Sequence, residues 1–131
     1  MNIAITGALG HIGSYILKNI PKKISFKKIY LIDNLLTQRY CSLFDLKKYN
    51  YKFLNYDLSV EDIKEKDIDI ILHFAAKTDA AQSHLLLKEF NKNKQITKRL
   101  INYCKKNNSK LIFASSTSVY GSQKNLVSES C

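Results

Sequence analysis

Five short apolar runs punctuate the chain, each separated from the next by a longer, lysine-studded segment. They fall at Asn2–Thr6, Lys28–Ile32, Tyr51–Asn55, Ile68–His73 and Lys110–Ser115. Their β-branched and aromatic residues run continuously instead of alternating with polar ones, the pattern of strands buried on both faces. The segments between them carry apolar residues at helical spacing. This predicts helices at His11–Ile20, Leu35–Tyr49, Val60–Lys64, Ala80–Phe90 and Asn93–Lys106. Pro21 closes the first, because proline cannot continue the hydrogen-bond ladder. In the last, Ile96, Leu100, Ile101 and Cys104 form one stripe. Strands alternating with helices over short connections predict an α/β fold, a doubly wound parallel sheet of about five strands with right-handed crossovers. With no repeats or linkers, residues 1–131 read as one unit.

The glycines sharpen this picture. Three of the four lie in ITGALGHIG, residues 5–13, between the first strand and the first helix. Gly7 permits a tight turn out of the strand. Gly10 leaves room for a pyrophosphate to approach the backbone, and Gly13 lets the helix pack closely on the sheet. The amides at the start of that helix add donors and partial positive charge for phosphate. Taken alone, such a turn is equally well explained as a plain strand-to-helix connection. Asp33 tips the balance: it ends the second strand, twenty residues after Gly13, where an acidic side chain can accept hydrogen bonds from adenosine ribose hydroxyls. The same charge would repel a 2′-phosphate, favouring NAD over NADP. Asp33 would also serve as an N-cap for a helix beginning at Leu35.

Charge changes the picture less than its size suggests. The net charge of +10 rests almost wholly on lysine, with arginine only at positions 39 and 99, scattered over every segment. Nucleic-acid surfaces lean on arginine and interleaved aromatics, so no nucleic-acid partner is expected. The positive field would still favour an anionic ligand. No apolar run approaches the twenty or so residues of a membrane span, and no signal peptide is read at the N-terminus, so the expected location is cytoplasmic. Cys41, Cys104 and Cys131 lack metal-ligand spacing and are expected as free thiols, with Cys104 a small hydrophobe in a helix face. His73 ends a buried strand and reads as a satisfied core histidine.

Five motifs in chain order resemble the N-terminal part of the extended short-chain dehydrogenase/reductases, the NAD-dependent nucleotide-sugar epimerase/dehydratase family. They are the T-G-x-x-G-x-x-G turn, LIDNL (31–35), NYDLS (55–59), ILHFAAKT (71–78) and ASSTSVYG (114–121). The resemblance implies a Rossmann-like fold and an NAD site. Its cofactor-binding residues would be Gly7, Gly10, His11, Ile12, Gly13, Asp33, Asn34, Asp57, Leu58, Phe74, Ala75, Ala76 and Lys77, and Asn93 in the last helix. Asp57 and Leu58 would meet the adenine, the 74–77 backbone would run beside the cofactor, and Asn93 would stand near the nicotinamide half. Ser116 aligns with the family's catalytic hydroxyl, which bonds the substrate oxygen as it gains or loses a proton. Tyr120 belongs to the V-Y-G element and is not the family's catalytic tyrosine.

The resemblance also implies a nucleotide-sugar substrate and transient oxidation of a sugar hydroxyl by NAD+. The family's 4,6-dehydratases carry Asp-Glu after the catalytic threonine. Here Thr117 and Ser118 stand there, which favours an epimerase or a simple reductase. A catalytic Tyr-x-x-x-Lys pair is expected about twenty residues beyond V-Y-G. None begins between Gly121 and Cys131, and Tyr103 is followed four places on by Asn107. The chain therefore reads as an incomplete NAD-binding domain without its C-terminal substrate domain, inactive alone. The alternative is a non-catalytic dinucleotide-binding module or interaction protein. A homodimer and a separate polypeptide supplying the C-terminal half are the partners left open.

Overall fold

In the computed structural model, five parallel strands form one sheet. They are β1 (Asn2–Thr6), β2 (Lys28–Asp33), β3 (Tyr51–Asn55), β4 (Ile70–His73) and β5 (Lys110–Phe113), in the order β3-β2-β1-β4-β5. The structure describes residues 1–21, 23–77, 87–115 and 128, with the backbone alone at 87–90. The chain runs outward from β1 through β2 to β3, then returns to the other side of β1 for β4 and β5. This is the doubly wound, Rossmann-like arrangement, and it opens a crevice at the carboxyl ends of β1 and β4 where the direction of winding reverses.

Helix α1 (His11–Lys18) connects β1 to β2, and α2 (Leu87–Asn107) leads into β5. Each helix belongs to a separate apolar layer. Ala8, Leu17 and Ile20 cluster with Ile3, Ile5, Ile29 and Leu31. Ile96, Leu100, Tyr103 and Cys104 of α2 cluster with Ala4, Tyr30, Ile32, Leu54 and Ile71. Successive residues of β1 and β2 thus enter opposite layers, as the two-residue period of a strand requires. Tyr103, rather than the expected Ile101, completes the α2 stripe. Ile101 lies on the exposed side of the helix.

All five strands lie where the hydrophobic runs place them, within two residues at their ends. The helices depart more. Leu35–Tyr49 is not an α-helix; only a 3-10 turn, Tyr40–Leu43, forms there. Asp33 Oδ1 accepts the Leu35 N–H at 3.0 Å and Asn34 Oδ1 the Leu36 N–H at 3.1 Å, as helix caps would, but the backbone beyond them does not stay helical. Leu35, Gln38 and Asp45 then adopt left-handed backbone, with φ of 58°, 50° and 57°. Asp33 therefore caps a turn, not a helix. Val60–Lys64 holds a single turn, in which Val60 and Glu61 donate to the Asp57 carbonyl. Beyond it the chain is tied down by tertiary bonds, Tyr103 Oη to the Glu65 carbonyl at 2.7 Å and Tyr30 Oη to Asp67 Oδ1 at 2.6 Å. Residues 80–86 of the fourth expected helix lie outside the described residues. Its remainder merges with the fifth, and α2 continues unbroken from Leu87 through Asn93.

Gln38 offers a direct check of the left-handed turn. Its side chain is exposed and makes no hydrogen bond among the described residues. Gln38→Gly is expected to stabilise the fold by about 0.5–1 kcal/mol by removing the Cβ penalty at positive φ. Urea denaturation would show it as a higher midpoint with an unchanged slope.

Candidate functional site

At the end of β1 the chain turns sharply through Gly7, whose φ is +66°. The Gly7 and Ala8 N–H groups donate to the Ile32 carbonyl, and Gly10 N–H donates back to the Gly7 carbonyl at 3.0 Å. Each glycine here meets a different environment. A Cβ on Gly7 would lie 2.7 Å from the Ala75 nitrogen, so the end of β4 passes directly against the turn. On Gly13 it would lie 2.3 Å from the Gly7 carbonyl oxygen and 2.9 Å from Ala8. Gly13 thus seats α1 on the turn itself, not on the sheet as expected. On Gly10 it would meet only the Gly7 oxygen, at 3.2 Å. The Gly10 Cα otherwise borders open space.

That space is a cavity of about 750 Å³, within the range of ligand pockets. Gly7, Gly10, Asp33, Asn34, Asp57, Leu58, the 74–77 segment and Asn93 all line it. Residues from five separate stretches of sequence therefore converge on the carboxyl ends of the strands. His11, Ile12 and Gly13 are not in its lining. Their N–H groups nevertheless have no hydrogen-bond partner among the described residues, leaving the start of α1 with unsatisfied donors beside the turn. The side chains of His11 and Ile12 are exposed.

Asp33 braces the site as much as it faces it. Its Oδ2 accepts the Leu9 N–H at 3.0 Å, while Oδ1 holds Leu35. Asp57 Oδ1 accepts both the Ser59 hydroxyl at 2.6 Å and the Ser59 N–H at 2.9 Å. Those bonds first, and the charge of Lys92 after them, hold the Asp57 carboxyl below its usual range against the opposing effect of burial. Asn93 lines the cavity and also braces its wall. Its Oδ1 accepts the Lys77 N–H and its Nδ2 donates to the Lys77 carbonyl, both at 2.9 Å. The side chain acts as a short stretch of partner strand, fixing the segment after β4.

Beneath that segment lies His73, 3% exposed. Its Nδ1 sits 2.7 Å from Thr6 Oγ1, which also accepts the N–H groups of Phe74 and Ala75 at 3.3 Å each. With two donors already directed at it, the Thr6 hydroxyl points its own proton at Nδ1. Nδ1 is then an acceptor, and the neutral ring carries its proton on Nε2. Burial pushes the His73 pKa down to about 4. His73 is thus a satisfied core histidine that helps hold the β4 end against Gly7.

Ser116 and the rest of ASSTSVYG beyond Ser115 lie outside the described residues, as does Cys131. Tyr120 and Lys124 stand four apart. The chain thus contains one Tyr-x-x-x-Lys spacing, and its tyrosine is the one in V-Y-G. Tyr56, Ser59, Arg39 and Lys92 also line the cavity and were missed. Ser59 had a signal, its place two residues after Asp57 in a turn. Arg39 and Lys92 carried none, since each is one of many scattered cations.

Residues 3–131 match the NAD dependent epimerase/dehydratase family. The chain belongs to that family. It is 36% identical to the dTDP-D-glucose 4,6-dehydratase of Dictyostelium discoideum over 92% of its length and 30% of that protein. It is 35% identical to the UDP-glucose 4-epimerase of Mycoplasma genitalium over 94% of its length and 38% of that protein. Among solved structures, the UDP-N-acetylglucosamine 4-epimerase of Methanobrevibacter ruminantium, in complex with UDP-N-acetylmuramic acid, superposes with a TM-score of 0.82. That match has 32% identity and covers 98% of this chain and 42% of the other. This family member thus spans less than half the length of each of these three proteins. Among its described residues, no helix is long and apolar enough to cross a membrane.

Proposed function

We propose that this chain is the NAD-binding part of a nucleotide-sugar epimerase-like protein. The observation that carries the reading is the cavity bordered by Gly10, where a Cβ would intrude and where Asp33, Asp57 and the 74–77 segment converge. The unpaired amides of His11, Ile12 and Gly13 suit a pyrophosphate, with Gly7 and Gly10 allowing its approach. Asp33 would accept hydrogen bonds from the adenosine ribose through its remaining lone pairs. Asp57 and Leu58 would meet the adenine, and Phe74, Ala75, Ala76 and Lys77 would flank the rest of the dinucleotide, with Asn93 bracing Lys77. When bound, NAD supplies a hydride acceptor for a sugar hydroxyl carbon. Ser116, by resemblance, would hydrogen-bond the sugar oxygen.

Calorimetric titration of the purified chain tests this. NAD+ is expected to bind with a Kd of about 10 μM to 1 mM, roughly 4–7 kcal/mol of binding free energy. Asp33→Ala should weaken NAD+ by about tenfold or more, and NADP+ should bind the unmodified chain more weakly than NAD+. No NAD+ binding at millimolar concentration would overturn the reading. The 131 residues alone are expected not to epimerise UDP-glucose or UDP-galactose, because the resemblance places the proton-transfer pair beyond V-Y-G. Measurable turnover by this chain would sink that part alone. A non-catalytic dinucleotide-binding module shares the titration result and differs in having no catalytic longer form.

A further inference from the structure

The peptide unit joining Leu9 to Gly10 is held at both ends. Its N–H, on Gly10, donates to the Gly7 carbonyl at 3.0 Å. Its carbonyl oxygen, on Leu9, accepts a hydrogen bond from Ser42 Oγ at 3.2 Å. Ser42 lies thirty-three residues away, in the 3-10 turn that replaces the helix expected between β2 and β3. The neighbouring Leu9 N–H is held by Asp33. Leu9 is buried, so its carbonyl has little access to water as an alternative partner.

We propose that Ser42 is a positioning residue for the pyrophosphate subsite: its hydroxyl keeps the Leu9 carbonyl turned away from the cavity. The inference rests on the dinucleotide reading above. The physics is electrostatic. A carbonyl oxygen carries partial negative charge, and the Leu9–Gly10 peptide borders the space where unpaired amides would receive an anion. Without the hydroxyl, the peptide loses one of its two tethers and can rotate, aiming its oxygen at the phosphates. Ser42 touches no ligand in this scheme and acts only through Leu9.

The effect should therefore follow the phosphates and not the base. Ser42→Ala is expected to weaken ADP and NAD+ by about tenfold while leaving adenosine binding within about twofold. Ser42→Thr, which retains the hydroxyl, should restore ADP affinity. In the ligand-free protein, Ser42→Ala should speed hydrogen exchange of the Gly10 amide, because the peptide that carries it is no longer held at both ends. Equal weakening of adenosine and ADP, or an unchanged Gly10 exchange rate, would overturn the proposal and leave Ser42 a purely structural residue. If the unmodified chain binds ADP normally and Ser42→Ala does too, only this inference falls. If the unmodified chain binds neither ADP nor NAD+, the functional reading falls and this one with it.

Discussion

Gly13→Ala is expected to destabilise the fold by about 3 kcal/mol or more, despite placing a better helix former inside α1. The helix-propensity gain is at most about 1 kcal/mol. Against it stands a Cβ 2.3 Å from the Gly7 carbonyl oxygen and 2.9 Å from the Ala8 backbone. These neighbours are main chain, and Gly7 is itself fixed by its bond to Ile32 and by the passage of Ala75. No side chain can swing aside, so α1 must shift and lose packing of Leu17 and Ile20 against β1 and β2. Gly7→Ala should be comparably harmful, combining a φ of +66° with a contact of 2.7 Å to Ala75. Gly10→Ala provides the contrast. Its new Cβ has one close neighbour, at 3.2 Å, so stability should change by less than about 1 kcal/mol while NAD+ affinity falls. Urea midpoints for the three variants, beside NAD+ titration of the Gly10 one, separate the glycines that build the turn from the one that leaves room for a ligand. Equal destabilisation by all three would contradict that division.

Acidification is expected to remove about 3 kcal/mol of stability between pH 7 and pH 4, through His73. Burial holds its folded pKa at about 4, below the ordinary 6.5 of the unfolded chain. Across that interval the unfolded state binds a proton that the folded state refuses, so stability rises with pH there and is fully present only above about pH 6.5. The structural cause is specific. A proton on Nδ1 would meet the proton of the Thr6 hydroxyl, which cannot turn away without abandoning its place between Phe74 and Ala75. Asp57, Glu65 and Asp67 are also held low by their hydrogen bonds and charges. Their contributions are lost as pH falls below the ordinary carboxylate values near 4, at the acid edge of the His73 window. His73→Phe should cost about 1–3 kcal/mol at pH 7 by orphaning the Thr6 hydroxyl, and should flatten the slope between pH 6.5 and 4.5. Chemical denaturation at a series of pH values checks both; an unchanged slope in the variant would assign the pH dependence elsewhere.

The β1–α1 glycine turn and all five strands were legible because each depends on information that is local in sequence. A strand buried on both faces must be continuously apolar, as Asn2–Thr6 is; Tyr51–Asn55 also begins and ends where its run does, although at the sheet edge it leaves Lys52 and Asn55 exposed. A parallel sheet needs crossovers, so strand–helix alternation specified the winding. Asp33 and Asp57 could be placed at strand ends by counting alone. The family resemblance added Asn34, Leu58, Asn93 and the 74–77 segment, which composition and spacing would have left as ordinary turn or packing residues.

What went astray were the elements whose conformation is decided by contacts that hydrophobic spacing does not encode. The periodicity of Leu35–Tyr49 is real, but Leu35, Gln38 and Asp45 take left-handed backbone and Ser42 is drawn to the Leu9 carbonyl, so a 3-10 turn stands in place of a helix. Asn93 looked like a boundary between two helices; its amide instead finds the Lys77 backbone, and the helix passes through it. Gly13 was expected to serve the sheet and serves the turn, a distinction set by a distance of 2.3 Å that no spacing reveals. Sequence thus determined which segments are strands and which glycines and acids stand at their ends, because chain-local sterics and hydrophobic periodicity suffice for that. Only the tertiary structure decided how those residues share their hydrogen bonds, because each polar group takes the partner that the fold brings within reach.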